Sequence, residues 1–334
     1  MPGISGLRAW WARRRPAAGT AVMATGIVSV GLHMSGDETP SRILLGVACV
    51  VWAGLGAGFA VRLVGQRHRW AAQARGPGAL TAVAATAVLG TRISALGRQT
   101  PAEALLALAA LLWPVLLLLA PRNRGRRMPG TVFLCCVAAQ GLAVLAAVLA
   151  ASEALAWLAH AALALFWLGL VFYGLALTRF EPRQVLHGAG DHWFAGGALG
   201  ISALAGAELL LADSARLPLW NDDDRGTLRD MTITLLVLDL ACYLVLLAAE
   251  VALPRLRHDV RRWATVFATG ATAAAVLSVA AAVDAPWLTG PGRALVWVAV
   301  AAWLVAVVAA VRAARAGAGQ GGRGAPGVTS TARR

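Results

Sequence analysis

The sequence contains no lysine: its 30 basic residues are all arginine, set against 16 acids. Charged residues make up only 14 % of the chain and apolar residues 59 %. So little polar surface cannot cover so much apolar surface, which excludes a water-soluble globule. The 4 cysteines, Cys49, Cys135, Cys136 and Cys242, all fall in apolar runs, where they read as small hydrophobes with free thiols and not as a disulfide framework. His33, His160, His187 and His192 are scattered, with no HExxH and no cysteine pair at metal spacing. A phosphate loop, a nucleophile elbow and paired carboxylates on one helix face are missing too. These absences argue against a metal site, a cofactor and an intramembrane enzyme.

What the chain does have is a series of long apolar runs. Ten can be counted, at 17–34, 42–64, 79–96, 102–120, 130–151, 153–178, 192–212, 228–253, 263–283 and 293–311. A helix needs roughly 20 such residues to cross a hydrocarbon core about 30 Å thick. The reading is an all-α integral membrane protein: a basic segment at 1–16, ten transmembrane helices within 17–311, and a disordered tail rich in Gly and Arg at 312–334. The first run lacks a cleavage site and is followed by other spans, so it is expected to be retained.

The net charge of +14 does not point to nucleic acid, because its distribution follows the spans. Alternate connections hold 23 of the 30 arginines; the opposite ones share the remaining 7 with 10 of the 16 acids. By the positive-inside rule both termini of this multi-pass chain face the cytoplasm of the cell (plasma) membrane, and the basic loops meet anionic lipid headgroups. The stretch LADSARLPLWNDDDRGTLRD at 211–230 reads as the one long external loop, anchored by Trp220, with its acids forming a solvated surface.

The ten spans differ by parity. Odd runs hold 14 Ser, Thr and Gln residues, among them Thr25, Ser29, Thr86, Gln140, Ser202 and Thr269, while the even runs hold only Thr232 and Thr234 well inside. Tryptophan favours the even runs, with Trp52, Trp113, Trp157, Trp167, Trp297 and Trp303. Hydroxyls inside a bilayer are stable beside other helices or water, and bulky apolar groups suit lipid. The pattern therefore predicts five hairpins, each an inner odd helix followed by an outer even one. Closed into a quasi-fivefold ring, they leave a central pore lined by the six polar residues named above. A solid bundle of tightly packed helices satisfies the same parity.

Three short stretches repeat inside odd runs: MATG at 23–26, GALG at 197–200 and FATG at 267–270. They set Met23, Gly197 and Phe267 at one depth, a constriction level, with Gly26, Gly200 and Gly270 one turn on. AVLG ending at Gly90 and AAQG ending at Gly141 are weaker matches. Glycine at a shared depth permits close approach or a bend, without the proline that the inner runs lack.

The segments PAAGTAVMATGIVS at 16–29, GDHWFAGGALGISALAGAELL at 190–210 and RRWATVFATGATAAA at 261–275 resemble the tellurite-resistance/dicarboxylate transporter family, to which TehA and the plant slow anion channels belong. The likeness covers about residues 16–311. It implies an anion pathway through a quasi-fivefold ring, occluded by a phenylalanine on the ninth helix that matches Phe267, and a homotrimer. The family commonly follows this phenylalanine with proline; here Ala268 stands instead.

On this reading the partners are a small anionic solute and membrane lipid, and Phe267 is the gate. The solute is a dicarboxylate, sulfite, a halide or a tellurite-type oxyanion; no charged residue in the inner helices selects among them. Of the acids inside the spans, Glu208 is placed to carry a proton in a coupled transporter or to pair with Arg92. Asp239 is expected to bond a neighbouring hairpin, and Glu250 to pair with arginines near the membrane surface. The acidic stretch around Asp222 would repel anions at a mouth, unless it lies off the axis or the protein exports. A membrane scaffold using the charged loops is the remaining rival, and it leaves parity unexplained.

Overall fold

The computed structural model describes residues 15–65, 74–119, 128–187, 190–214, 216–252 and 262–320. Many of the arginines in the basic connections, such as Arg67, Arg124 and Arg257, lie outside the described residues. Ten long helices follow one another: α1 (Arg15–Met34), α2 (Glu38–Gly65), α3 (Thr81–Ser94), α4 (Gln99–Leu119), α5 (Leu134–Glu153), α6 (Ala156–Arg179), α7 (Trp193–Ala212), α8 (Asp222–Ala252), α9 (Trp263–Ala282) and α10 (Thr289–Gln320). Among the described residues, 8 helices are long and apolar enough to cross a membrane, while the apolar parts of α1 and α3, Ala18–Met34 and Gly78–Ser94, are shorter.

Two boundaries differ from those read in the sequence. The acidic stretch expected in a long external loop is helical from Asp222 onward. Asn221 accepts the Asp224 N–H at 2.8 Å, and three acids in the first turn complement the positive end of the helix dipole. Helix α10 continues past the expected start of the tail at 312, through an alanine-rich stretch to Gln320, and the rest of the expected tail lies outside the described residues.

Each odd helix turns directly into the next even one. In four of the five hairpins the turn passes through a left-handed residue: Gly36 at φ 91°, Gly97 at φ 75°, Ala154 at φ 54° and Asp284 at φ 54°. Between hairpins, α1 packs on α3, α3 on α5, α5 on α7, α7 on α9 and α9 back on α1, which closes a ring. Each even helix lies on the odd helix before it and leans on the one after. In α5, α7 and α9, 83–89 % of the apolar span is buried, against 17–33 % in the even helices. The parity of the sequence is thus the inside and outside of the ring, and Ile43, Leu111, Val171 and Val305 of the even helices face outward, as lipid contact requires.

Neighbouring inner helices meet through a repeated pair of residues. Gly26 of α1 lies against Val88 of α3, Gly200 of α7 against Ala271 and Thr272 of α9, and Gly270 of α9 against Ile27 and Val28 of α1. A Cβ at these glycines would come within 2.9, 3.0 and 2.8 Å of the neighbour. Between α3 and α5 the roles reverse, with the Ala87 methyl seated over Gly141. Gly90, three residues further on, faces Leu145 and Leu105. The common glycine level therefore holds for α1, α7 and α9, whereas Ala87 and Gln140 occupy it on α3 and α5. Each inner helix runs through its glycine without interruption, so the glycines serve close approach and interrupt no helix.

Gly200→Val should lower the unfolding midpoint in detergent, because overpacking a tight contact costs about 1–3 kcal/mol. Gly56→Val on α2, where nothing lies within 4 Å of the added group, should leave the midpoint near that of the parent.

Candidate functional site along the ring axis

The inner helices surround a narrow space lined by Ile27 and Val30, Val88 and Thr91, Gly141 and Val144, and Ile201 and Leu204. Only about one water-sized sphere fits there. The members of each pair are three residues apart, so each helix turns one face to the axis. Ala271 and Ala274 hold the matching register on α9. The lining is apolar except for Thr91, whose hydroxyl donates to the Ala87 carbonyl of its own helix at 3.1 Å.

One turn nearer the helix N-termini, the same face carries Met23, Ala84, Val137, Gly197 and Phe267, all buried. Phe267 has no exposed surface. Its ring lies against Gly197, where a Cβ would meet the ring at 2.6 Å, and against Phe194, with ring centroids 6.1 Å apart. Met23, Gly197 and Phe267 thus share one level on α1, α7 and α9. Gly197 is there because the ring needs its space.

The six polar residues expected on the pore point elsewhere, and none of them lines the axial space. Thr25 accepts the Trp303 indole N–H at 2.9 Å, and Thr86 accepts that of Trp52 at 2.9 Å. Both bonds run from an outer helix to the inner helix that follows it around the ring. Both hydroxyls also donate to a carbonyl one turn back. Thr269 stands in the same register, and its hydroxyl donates to the Thr265 carbonyl at 2.9 Å. On α5 that register is Ala139, which has no acceptor to offer, and the buried Trp113 indole N–H of α4 is left without a partner. Ser29 donates to the Ser41 carbonyl of α2 at 2.7 Å. Gln140 donates to the Phe166 carbonyl of α6 at 3.0 Å. Ser202 donates to the Ala198 carbonyl at 2.6 Å and lies 3.8 Å from the Cys136 sulfur. The physical reason is that a hydroxyl in hydrocarbon takes its nearest partner, and outer-helix indoles and backbone supply it.

The charged groups of the spans and the α7–α8 connection settle into five places. Arg92, fully buried on α3, donates to Glu38 Oε1 at 2.7 Å and to the Ser41 hydroxyl at 2.9 Å. Glu38 is also bonded by Arg42 at 2.8 Å and His33 at 2.7 Å. Arg92 therefore pairs with Glu38 and not with Glu208, and the cluster joins α1, α2 and α3. Sequence periodicity does not show it, since the partners stand 54 positions apart; an arginine in an apolar run near an acid at the start of another is the only signal. Glu208 of α7 accepts the Ser278 hydroxyl of α9 at 2.7 Å.

Asp239 bonds the next hairpin as expected, accepting the Thr272 hydroxyl at 3.2 Å, and its other oxygen packs near Gly200. Glu250 pairs with Arg262 at 2.9 Å, also as expected. Asp213 is held by Arg225 at 2.7 Å, and Asp222, Asp223 and Asp224 open an outer helix, so these acids stand away from the axis. Among the described residues no group of His, Cys, Asp and Glu side chains could hold a metal ion, and the cysteines are free.

Thr25→Val and Thr86→Val should each cost roughly 1 kcal/mol of stability, the size of an interhelical hydrogen bond in a membrane. Anion flux through the folded variants should stay close to that of the parent in a liposome assay; a large change in flux would return these hydroxyls to the axis.

The fold and its closed apolar axis can be set beside known families. No individual curated protein matches the sequence. A family model does, over residues 14–311, which takes in the whole ring and bears out the resemblance read from its motifs. The chain belongs to the voltage-dependent anion channel family, whose work is anion transport across a membrane and not enzymatic catalysis.

Proposed function

We propose that the ring axis is the anion pathway and that Phe267 is its gate. The observation that carries the reading is a fully buried aromatic ring on the axial face, seated in the space that Gly197 leaves open. Beyond that level, towards the C-terminal ends of the inner helices, the axial space is lined by aliphatic side chains, Gly141 and Thr91, without a cation. An anion that passed the ring would meet no group able to hold it, and conduction needs such weak binding. The substrate class is small anions, among them dicarboxylates, sulfite, halides and tellurite-type oxyanions. The arginine partition supports an orientation with both termini and the Phe267 end towards the cytoplasm, where the basic loops gather anions.

Glu208 favours a second reading, proton-coupled export, because its carboxyl is inside the ring with a hydroxyl and no cation as its bonded partner. Flux that follows membrane potential without a proton gradient supports the channel. Dependence on that gradient, abolished in Glu208→Gln, supports coupling.

Phe267→Ala should raise anion conductance in reconstituted bilayers by at least about tenfold, since it removes the barrier from a path that otherwise binds weakly. Gly197→Ala should raise it too, by a smaller factor, because the added methyl takes the place of the ring edge. Wild-type conductance in both well-folded variants would remove Phe267 from the gate.

A further inference from the structure

Glu208 departs from its surroundings. From Trp193 to Leu210 every other residue of α7 is buried, yet Glu208 is partly exposed. Val148 is likewise the one partly exposed residue between Cys136 and Ala150 of α5. Each stands seven residues, two turns, beyond the first residue its helix turns to the axial space, Ile201 and Gly141. Two turns bring a helix back to the same face. The matching residues are Met34 at the end of α1, Ala95 just after α3, and Ser278 on α9; Met34 and Ala95 are open as well.

A bond and a contact agree with the register. Ser278 donates to Glu208 Oε1 at 2.7 Å and lies 4.0 Å from the Met34 sulfur. Helices α7 and α1 flank α9 in the ring, so both reach Ser278 on its axial side. These five positions therefore form the mouth at the C-terminal end of the inner helices. At this level Met34, Ala95, Val148 and Glu208 keep exposed surface, while Phe267, further in, has none.

We propose that Glu208, held over this mouth by Ser278, is a charge filter in series with Phe267 that governs which anions are admitted from that side and how fast. The proposal rests on the axial pathway read above. An ionised carboxylate repels an approaching anion within about a Debye length, 8–10 Å, and low-dielectric walls focus its field. An anion coming from the Phe267 end meets the filter last, so flow in the two directions becomes unequal. The Ser278 hydrogen bond keeps the carboxyl on the axis instead of letting it swing towards water. Of the other described acids at this end, Asp37, Glu153, Asp213 and Asp284 lie in turns or at the end of an inner helix, and Glu38, Glu103, Asp222, Asp223, Asp224 and Asp230 lie on outer helices, which leaves Glu208 alone on the axial face.

The test uses the full chain with Phe267→Ala as the open background, in planar bilayers with the solution at the filter mouth held at about pH 8. Adding Glu208→Gln keeps an acceptor for Ser278 and removes the charge. Conductance for chloride admitted at that mouth should rise at least about threefold at low salt, more than conductance in the opposite direction, and the gain should shrink at high salt. Ser278→Ala should shift the asymmetry in the same sense by less, and Glu153→Gln, an exposed acid at the end of α5, should leave it unchanged. Unchanged asymmetry and salt dependence in the Glu208→Gln channel would overturn the filter while leaving the gate intact. Loss of proton-driven flux in Glu208→Gln would overturn it in favour of coupling. A failure of the axial reading looks different: Phe267→Ala itself does not conduct, and both proposals fall together.

Discussion

The structure depends on how closely five helices can approach one another around a common axis. In a bilayer there is no hydrophobic gain from bringing helices together, so association relies on packing, and packing relies on what stands at the contact. Here a residue with little or no side chain on one inner helix receives a larger one from the next: Gly26 takes Val88, Gly200 takes Ala271, Gly270 takes Ile27. Where α3 carries Ala87, α5 answers with Gly141. Four of the five contacts between inner helices thus have a glycine on one side, and the one between α3 and α5 runs in the opposite sense to the others. The axial space is what these close approaches leave over, which is why it is narrow.

Polar groups follow from that geometry. With the axial face filled by aliphatic side chains, the hydroxyls of Thr25 and Thr86 have outer-helix indoles within reach. They become links between hairpins: Trp303 to Thr25 closes the ring between its last helix and its first, and Trp52 to Thr86 does the same one step on. Thr272 with Asp239 makes the corresponding link between α8 and α9. The cluster of Arg92, Glu38, Ser41, Arg42 and His33 ties the first three helices at one end. In the pathway proposed above, the Phe267 ring stands at one end of the axial face and the Glu208 carboxyl at the other.

Much of this was legible beforehand, and the misses share a cause. Parity separated inner from outer helices because burial changes composition on every side of a helix. It could not tell which side a given threonine faces, since an inner helix is surrounded completely and its polar residues show no period. The motif level survived on α1, α7 and α9, where glycine repeats, and failed on α3 and α5, where Gly90 and Gly141 are offset and the small residue of the pair has changed partner. Glu250 and Asp239 were readable because a carboxyl in an apolar run must find a nearby donor. Arg92 was assigned the wrong acid because its true partner, Glu38, starts the second helix, and only the ring brings the two together.

The sequence by itself determined that the chain spans a membrane many times, which helices face inward, and that Met23, Gly197 and Phe267 share one depth; runs, parity and repeats carry that information along the chain. The tertiary structure alone decided which faces meet: that the hydroxyls join hairpins, that the Phe267 ring sits in the gap at Gly197, and that Glu208 bonds Ser278 of the neighbouring inner helix. The reason is that a helical face is chosen by contact with neighbours far away in sequence, and on a helix buried all round no local pattern records the choice.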